Sequence, residues 1–421
     1  MARAEEACPP SATHAGVAWS GAIAMLASVT AINFWAPAYD IAHIALIVMA
    51  CTALGVFVPD LLWQRVDRRV LGAPRPGNWP RTLTKLLGLA GSLGFVAALY
   101  WLFPEYYNGQ DFYGHYWKAL GAVLPLWAVL AVPYIYFVDR RLQDPEDSLW
   151  QLGRWLQLNW HGLSPRVIGQ HLLGWVVKGY FLPLMFTYFC RDLDKLLHYD
   201  LNRLHDFMGL YNWAYDFLYF VDVSLVAMTY LMSLKLTDTH IRSTEPTMFG
   251  WVVAVMCYEP FWSSFGPHYL HYDNGVGWYR WFGQYPWVYV PWGCAIVALL
   301  ALYVWATISF GARFSNLTHR GIITNGPYRY SKHPAYLAKN LSWWLISMPF
   351  MISENPLDSL RRCVLLLFLN GIYYLRAKTE ERHLSWDPVY VQYARWIDAH
   401  GALRFLNGIP GRLRGTPVSQ L

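Results

Sequence analysis

Ten long apolar runs divide this chain, at roughly 16–36, 40–63, 84–103, 117–138, 167–190, 212–234, 248–266, 284–310, 334–352 and 360–376. A helix needs about 20 mostly apolar residues to cross a bilayer. Runs of that length predict an all-α fold, a polytopic membrane helical bundle of about ten spans. The last two runs are short and joined by "SENPLDSLRR", 353–362. A hairpin that does not fully cross is one reading of that pair.

Composition agrees. The 421 residues are 55% hydrophobic and only 14% charged, against about 25% charged in soluble domains. Twenty-three Trp and 29 Tyr suit bilayer–water interfaces, where a ring with a polar tip is half wetted. The net charge of +6 sits in short loops between apolar runs. Its expected partner is therefore anionic membrane lipid, not nucleic acid. Six cysteines are present with no C-x-x-C pair, so neither a disulfide framework nor a zinc site is expected. The opening "MARAEEACPPSATHAG" lacks the basic and compact apolar regions of a cleaved signal. The first run is therefore expected to stay as a helix.

Loop charge orients the bundle. Basic residues follow the second run ("QRVDRRVLGAPRPGNWPR"), the fourth ("DRRLQDPEDS", then Arg154 and Arg166) and the sixth (Lys235, Arg242). They follow the eighth (Arg313, Arg320, Arg329, Lys332) and the tenth (Arg376, Lys378, Arg382, Arg395) as well. In a ten-span arrangement all five segments share one side, and positive charge marks the cytoplasm. Both termini are then expected to be cytoplasmic, in a bacterial inner membrane. "PEYYNGQDFYGHY" and "RDLDKLLHYDLNRLHDF" fall outside, the latter reading as an interfacial helix that includes His198 and His205. Polar motifs thicken after Asn316. Residues 1–283 are read as an acceptor-binding transmembrane region, and 284–421 as the catalytic region of the same bundle.

The chemistry concentrates in two polar segments. In "NGPYRYSKHPAYLAKN", 325–340, Asn325-Gly326-Pro327 signals a turn. Pro334 suits the first turn of a helix. That places His333 at a helix N-terminus, whose free N–H groups favour an anion, with Arg329 adding donors. In "YYLRAKTEERHLSWDPVYVQYARW", 373–396, Arg376, Glu380 and His383 share one helical face and Glu381 turns partly away. Acids facing a basic anion site can grip a zwitterion by both ends. Each group also has a plainer reading. Arg329, Lys332 and His333 serve equally as topogenic charge, Glu380 and Glu381 as a solvated helix end, and Arg376 as an interface anchor.

"GPYRYSKHPAYLAKN", then "ENP", "LRAKTEERHL" and "YVQY" resemble the isoprenylcysteine carboxyl methyltransferase family, whose relatives include the phospholipid N-methyltransferases. Those proteins show G-x-Y-R-x-x-R-H-P-x-Y, then R-x-x-x-E-E and a terminal Y-x-x-Y. The resemblance covers the C-terminal quarter of the chain. It implies S-adenosylmethionine as cofactor. It further implies that Tyr328, Arg329, His333 and Tyr336 line the cofactor pocket and that Glu380 and Glu381 close it. Arg376 would sit at the lipid-facing entrance as the catalytic residue. Methyl transfer needs positioning above all, and proximity can supply about 7–11 kcal/mol. A guanidinium can orient a carboxylate acceptor bidentately, and a sulfonium can lie against Tyr336, Trp343 or Trp344. The chain departs from the pattern at Lys332, where Arg is usual, and at Ala335, Ala338 and Lys339. An ionisable group in a span is a functional candidate, although Lys339 also reads as a snorkelling side chain.

The expected function is an integral membrane S-adenosylmethionine-dependent methyltransferase acting on a lipophilic acceptor. One alternative is an NADPH-dependent reductase of sterols or related lipids. Such enzymes resemble this chain at H-P-x-Y but typically read H-P-N-Y-x-G-[DE] and R-D-[DE], whereas here the residues are His333-Pro334-Ala335-Tyr336-Leu337-Ala338-Lys339 and Thr379-Glu380-Glu381. Another is a non-catalytic lipid-binding membrane protein. "PHYLHYD" brings His268, His271 and Asp273 together, but with no further ligand nearby no metal is expected. Lys178 and Glu259 are read as lining a lipid-access cavity or pairing with each other.

Overall fold

The computed structural model describes residues 7–35, 40–107, 110–273, 275–351, 355–402 and 404. The start of the N-terminal segment and residues 353–354 of the hairpin turn lie outside these. The N-terminal part comprises α1 (Ala15–Trp35), α2 (Ile41–Leu62), α3 (Asp67–Val70), α4 (Trp79–Leu102), α5 (Gln110–Asp139), α6 (Ser148–Leu156), α7 (Pro165–Leu197) and α8 (Phe207–Leu231). Then come α9 (Met248–Val255), α10 (Phe261–Tyr269), α11 (Trp278–Phe282), α12 (Pro286–Ile308), α13 (Pro334–Ser347), α14 (Pro356–Leu384) and α15 (Pro388–His400). Proline recurs in the first helical turn, at α4, α7 and α12 through α15. There its missing N–H costs nothing. Asp40, Asn78 and Asn355 cap α2, α4 and α14 with side-chain oxygens.

Among the described residues, seven helices are long and apolar enough to cross a membrane: α1, α2, α4, α5, α7, α8 and α12. The other three expected spans fall short, each for its own reason. The run 248–266 breaks into α9 and α10. Helix α13 has 14 residues, a rise of about 21 Å. Helix α14 has the length, at 29 residues, but carries charge at both ends, from Asp358, Arg361 and Arg362 to Arg376, Lys378, Glu380, Glu381 and Arg382. The stretch containing His198 and His205 is divided between the last turns of α7 and a 3₁₀ turn at Leu201–His205.

The basic loops meet at one end of the bundle. Arg69 Nη1 reaches Ala12 O at 2.7 Å, and Arg81 and Lys85 both pair with Asp139 at 2.8 Å. Lys235 pairs with Asp147 at 2.6 Å, and Arg313 meets Asp60 at 3.4 Å with both side chains fully buried. These cations therefore tie loops to each other as well as marking a side. Helices α7 and α8 are the innermost spans and α5 the outermost, with 56%, 61% and 17% of their apolar windows buried. The core gathers on α1, α2, α7, α8 and the end of α12. Helix α6 packs flush on α4 because Gly88 and Gly153 face backbone: a Cβ on Gly88 would lie 2.0 Å from Leu149 O, and one on Gly153 1.9 Å from Thr84 O. All six cysteines are free.

One further expectation, a pairing of Lys178 with Glu259, meets its outcome here. Lys178 lies 4.8 Å from the Trp175 ring centre, and the Glu259 carboxylate accepts from Ser263 N at 3.1 Å. Among the described residues no ion pair joins Lys178 to Glu259. Among the same residues no cluster of three His, Cys, Asp or Glu is arranged to hold a metal.

Candidate functional site

The loop 309–333, between α12 and α13, builds the floor of a cavity. It leaves α12 through Gly311, whose φ of +55° is the left-handed conformation that glycine adopts cheaply. It then forms the two-residue strand β2 (Thr318–His319), which pairs antiparallel with β1 (Ser243–Thr244). That pairing draws the segment after α8 over the site. The loop ends in a 3₁₀ turn, Gly326–Arg329. Helix α13 starts on one wall and the C-terminal turns of α14 form the opposite wall. The enclosed empty space is about 1310 Å³, including the part open to solvent.

The two polar segments converge here. His333 Nε2 hydrogen-bonds Glu381 Oε1 at 3.1 Å, and His333 Nδ1 lies 3.9 Å from Glu380 Oε2. The Tyr336 hydroxyl donates to Glu380 Oε1. The imidazole and the Tyr336 ring are nearly parallel, with centres 5.6 Å apart. Residues 44 or more positions apart in sequence thus share one small site. Lys378 Nζ holds the other oxygen of Glu381 at 2.8 Å. Burial alone would raise the Glu381 carboxyl, but the His333 bond and Lys378 outweigh it and bring the pKa down to about 2.

Arg376 is 3% exposed. Its guanidinium lies 5.2 Å from the ring centres of Tyr336 and Tyr373 and 5.5 Å from that of Tyr258. Nη2 donates to Asn316 Oδ1 at 3.1 Å, while Nε is buried with no hydrogen-bond partner. Asn316 is itself oriented by Tyr230 and Tyr258, to whose hydroxyls its Nδ2 donates at 3.0 and 3.2 Å.

Of the residues singled out from sequence, Tyr328, His333, Tyr336, Arg376 and Glu380 line the cavity. Glu381 braces His333 from outside the lining. Arg329 stands apart: it is exposed, while its neighbour Tyr328 is buried. A 3₁₀ turn has about three residues per turn, so consecutive side chains point away from each other, and Tyr328 takes the inward place. Lys332 pairs with Asp398 at 2.7 Å. His383 lies on the cavity side of α14 as its spacing indicates, with Nε2 2.8 Å from Ser243 Oγ.

Sequence reading missed Glu245, Tyr258, Asn316 and His319, all on the lining. Glu245 is 2% exposed and receives Arg382 Nη2 at 2.8 Å. Its one sequence signal is an acid in a polar break between apolar runs, which any loop would show. Asn316 had a better one, since it opens the polar stretch after the eighth run.

The arrangement offers an acid pair beside an imidazole, a ring of tyrosine faces and a buried guanidinium with free donors. Residues 287–386 match the isoprenylcysteine carboxyl methyltransferase family. The match spans α12 through the end of α14, and so takes in Asn316, His333, Tyr336, Arg376, Glu380 and Glu381. No curated protein and no solved structure matches the chain. Within the methyltransferase-like region, His333 and Glu381 form its best-defined contact, and pH tests it. Glu381 titrates below its ordinary value of 4.5, so its contribution is complete above about pH 4.5 and fades as pH falls toward 2. The thermal stabilities of wild type and Glu381→Gln should therefore differ by a constant amount from pH 5 to 6 and converge below pH 4. A gap that widens on acidification contradicts the pairing.

Proposed function

We propose that this chain is an integral membrane S-adenosylmethionine-dependent methyltransferase that takes a lipophilic acceptor from the bilayer. The observation that carries the reading is the meeting of His333 and Tyr336 with Glu380 and Glu381 around one cavity. Both halves of that site lie in the segment similar to isoprenylcysteine carboxyl methyltransferases.

The residues present fit the cofactor. Glu380 and Glu381 supply negative charge for its ammonium group. The first turn of α13 and His333 supply donors for its carboxylate, and the tyrosine faces suit a cationic sulfonium. When bound, S-adenosylmethionine supplies an electrophilic methyl group open to in-line displacement. The protein's own part is positioning. Tyr336 and His333 hold the two carboxylates in place. Arg376, fixed by Asn316 and three rings, presents buried N–H groups that can orient an acceptor oxygen. Helices α9 and α10 and the segment carrying Glu245 cover the site from the N-terminal region. The seven apolar helices support a cavity with access to lipid, and the one-sided basic loops favour a cytoplasmic mouth.

Calorimetric titration of S-adenosylmethionine into the purified protein tests this. Wild type is expected to bind, with His333→Ala and Glu380→Ala each weaker by about 10- to 100-fold, the loss of one charge-assisted hydrogen bond. No binding by wild type, or unchanged affinity in both variants, overturns the proposal.

A further inference from the structure

We propose that the end of the cavity near α12 is a two-cation site, formed by Arg376 and Lys339, for an acceptor whose head carries two negative charges close together. This deepens the methyltransferase reading and rests on it.

Lys339 is one of the positions where the chain departs from the family pattern. It lies on α13 beyond His333 and Tyr336 and lines the same cavity. Its ammonium nitrogen sits 5.3 Å from the ring centre of Tyr303, 5.6 Å from Trp343 and 6.0 Å from Tyr373. Three ring faces favour a charged ammonium. The Arg376 guanidinium lies against the same Tyr373 ring, at 5.2 Å. The two cations are therefore neighbours across one aromatic side chain.

Neither cation has an acid within ion-pair distance among the described residues, and Arg376 Nε is a buried donor without a partner. The nearby acids are all engaged elsewhere. Asp222, buried on α8, accepts from the Tyr303 hydroxyl and from Thr307 Oγ1, each at 2.5 Å. Tyr303 and Thr307 line the cavity and stand between it and Asp222, whose charge acts on Lys339 only from a distance. Glu380 is held by Tyr336, Glu381 by His333 and Lys378, and Glu245 by Arg382. Two cations without a directly paired acid are left facing the cavity. An anion entering it is the complement both can reach. A single carboxylate can occupy the guanidinium bidentately but leaves the ammonium unmet. A dicarboxylate or a phosphate monoester on an apolar tail meets both. If Lys339 were only a snorkelling side chain, it would reach bulk water and have no reason to lie within three rings.

The test uses the full chain in neutral detergent at pH 8 and three probes with the same tail: dodecanoate, dodecylsuccinate and dodecyl phosphate. Wild type is expected to bind at least one of the dianions about tenfold more tightly than dodecanoate, a difference of about 1.4 kcal/mol. The tighter dianion identifies the head chemistry. Lys339→Met is expected to reduce that preference below about threefold and Lys339→Arg to keep it, both with calorimetric S-adenosylmethionine binding retained. Equal affinities in wild type, or a full preference in Lys339→Met, overturn the inference. The wild-type comparison stands even if a variant does not fold. Absent S-adenosylmethionine binding with the dianion preference intact sinks the methyltransferase reading alone, so the two failures are distinguishable.

Discussion

Replacing Arg376 by lysine is expected to lower methyl transfer by about a hundredfold or more, while cofactor affinity changes less than about threefold. The reason is geometric. The guanidinium is planar, wedged among Tyr258, Tyr336 and Tyr373 and tied to Asn316 Oδ1 at 3.1 Å. Its remaining N–H groups are thereby aimed in fixed directions. Lysine keeps the charge but loses the fork and the stacking plane. A reaction that depends on placement loses about 10²-fold for an error near 1 Å. The measurement is transfer of labelled methyl from S-adenosylmethionine into organic-extractable lipid, with purified protein in vesicles of host membrane lipid, alongside calorimetry. Undiminished transfer by Arg376→Lys would remove Arg376 from the orienting role. Loss of cofactor binding in step with transfer would move it to the cofactor site.

The largest stability loss is expected on the floor of the cavity, at Arg320→Met. Arg320 is 2% exposed and saturates four carbonyls: Thr239 O at 2.6 Å, Phe314 O at 2.8 Å, Thr229 O at 2.9 Å and Met232 O at 3.0 Å. Thr229 lies in the last turn of α8 and Met232 just past it, where carbonyls lack helical partners. Methionine fills much of the volume and satisfies none of them, although Met232 O keeps the Thr239 hydroxyl at 2.7 Å and Thr239 O the Ser233 hydroxyl at 3.5 Å. Each stranded carbonyl costs about 1–3 kcal/mol before relaxation and water relieve it, so a net loss of about 3–5 kcal/mol is expected. In detergent this should appear as a fall of about 5–10 °C in Tm. Arg320→Lys, with three donors at the end of a flexible stem, should fall between. A Tm within 1 or 2 °C of wild type for Arg320→Met would show that the loop is held by other means.

Arg320 also shows where reading by sequence stops. Its place in a basic loop goes with a pattern that the fold gathers together, since Arg313, Arg320 and Lys235 all lie at one end of the bundle. The same pattern says nothing of depth. Arg313 and Arg320 are buried in the protein, whereas Arg329 is exposed. Local spacing resolved some of the site. The α14 period put Arg376, Glu380 and His383 on the cavity side, and Pro334 marked the start of α13. It failed for Arg329, because adjacency within a motif is not adjacency in a 3₁₀ turn. It also missed Glu245, because nothing along the chain announces that a strand pair at Ser243–Thr244 and Thr318–His319 brings a distant loop onto the site.

By itself the sequence determined the class of the fold, the approximate course of the long apolar helices and the two polar segments that meet at the cavity. Those follow from quantities local in the chain: the length of apolar runs against the thickness of lipid, helical period, and proline's fixed φ. Tertiary structure alone decided that α13 and α14 present those segments to each other, and that the α8–α9 loop covers them. It also decided that Lys339 and Arg376 share a tyrosine and, among the described residues, pair directly with no acid. Such pairings depend on which helix faces pack together, an outcome of the summed contacts of the whole bundle that no single stretch encodes.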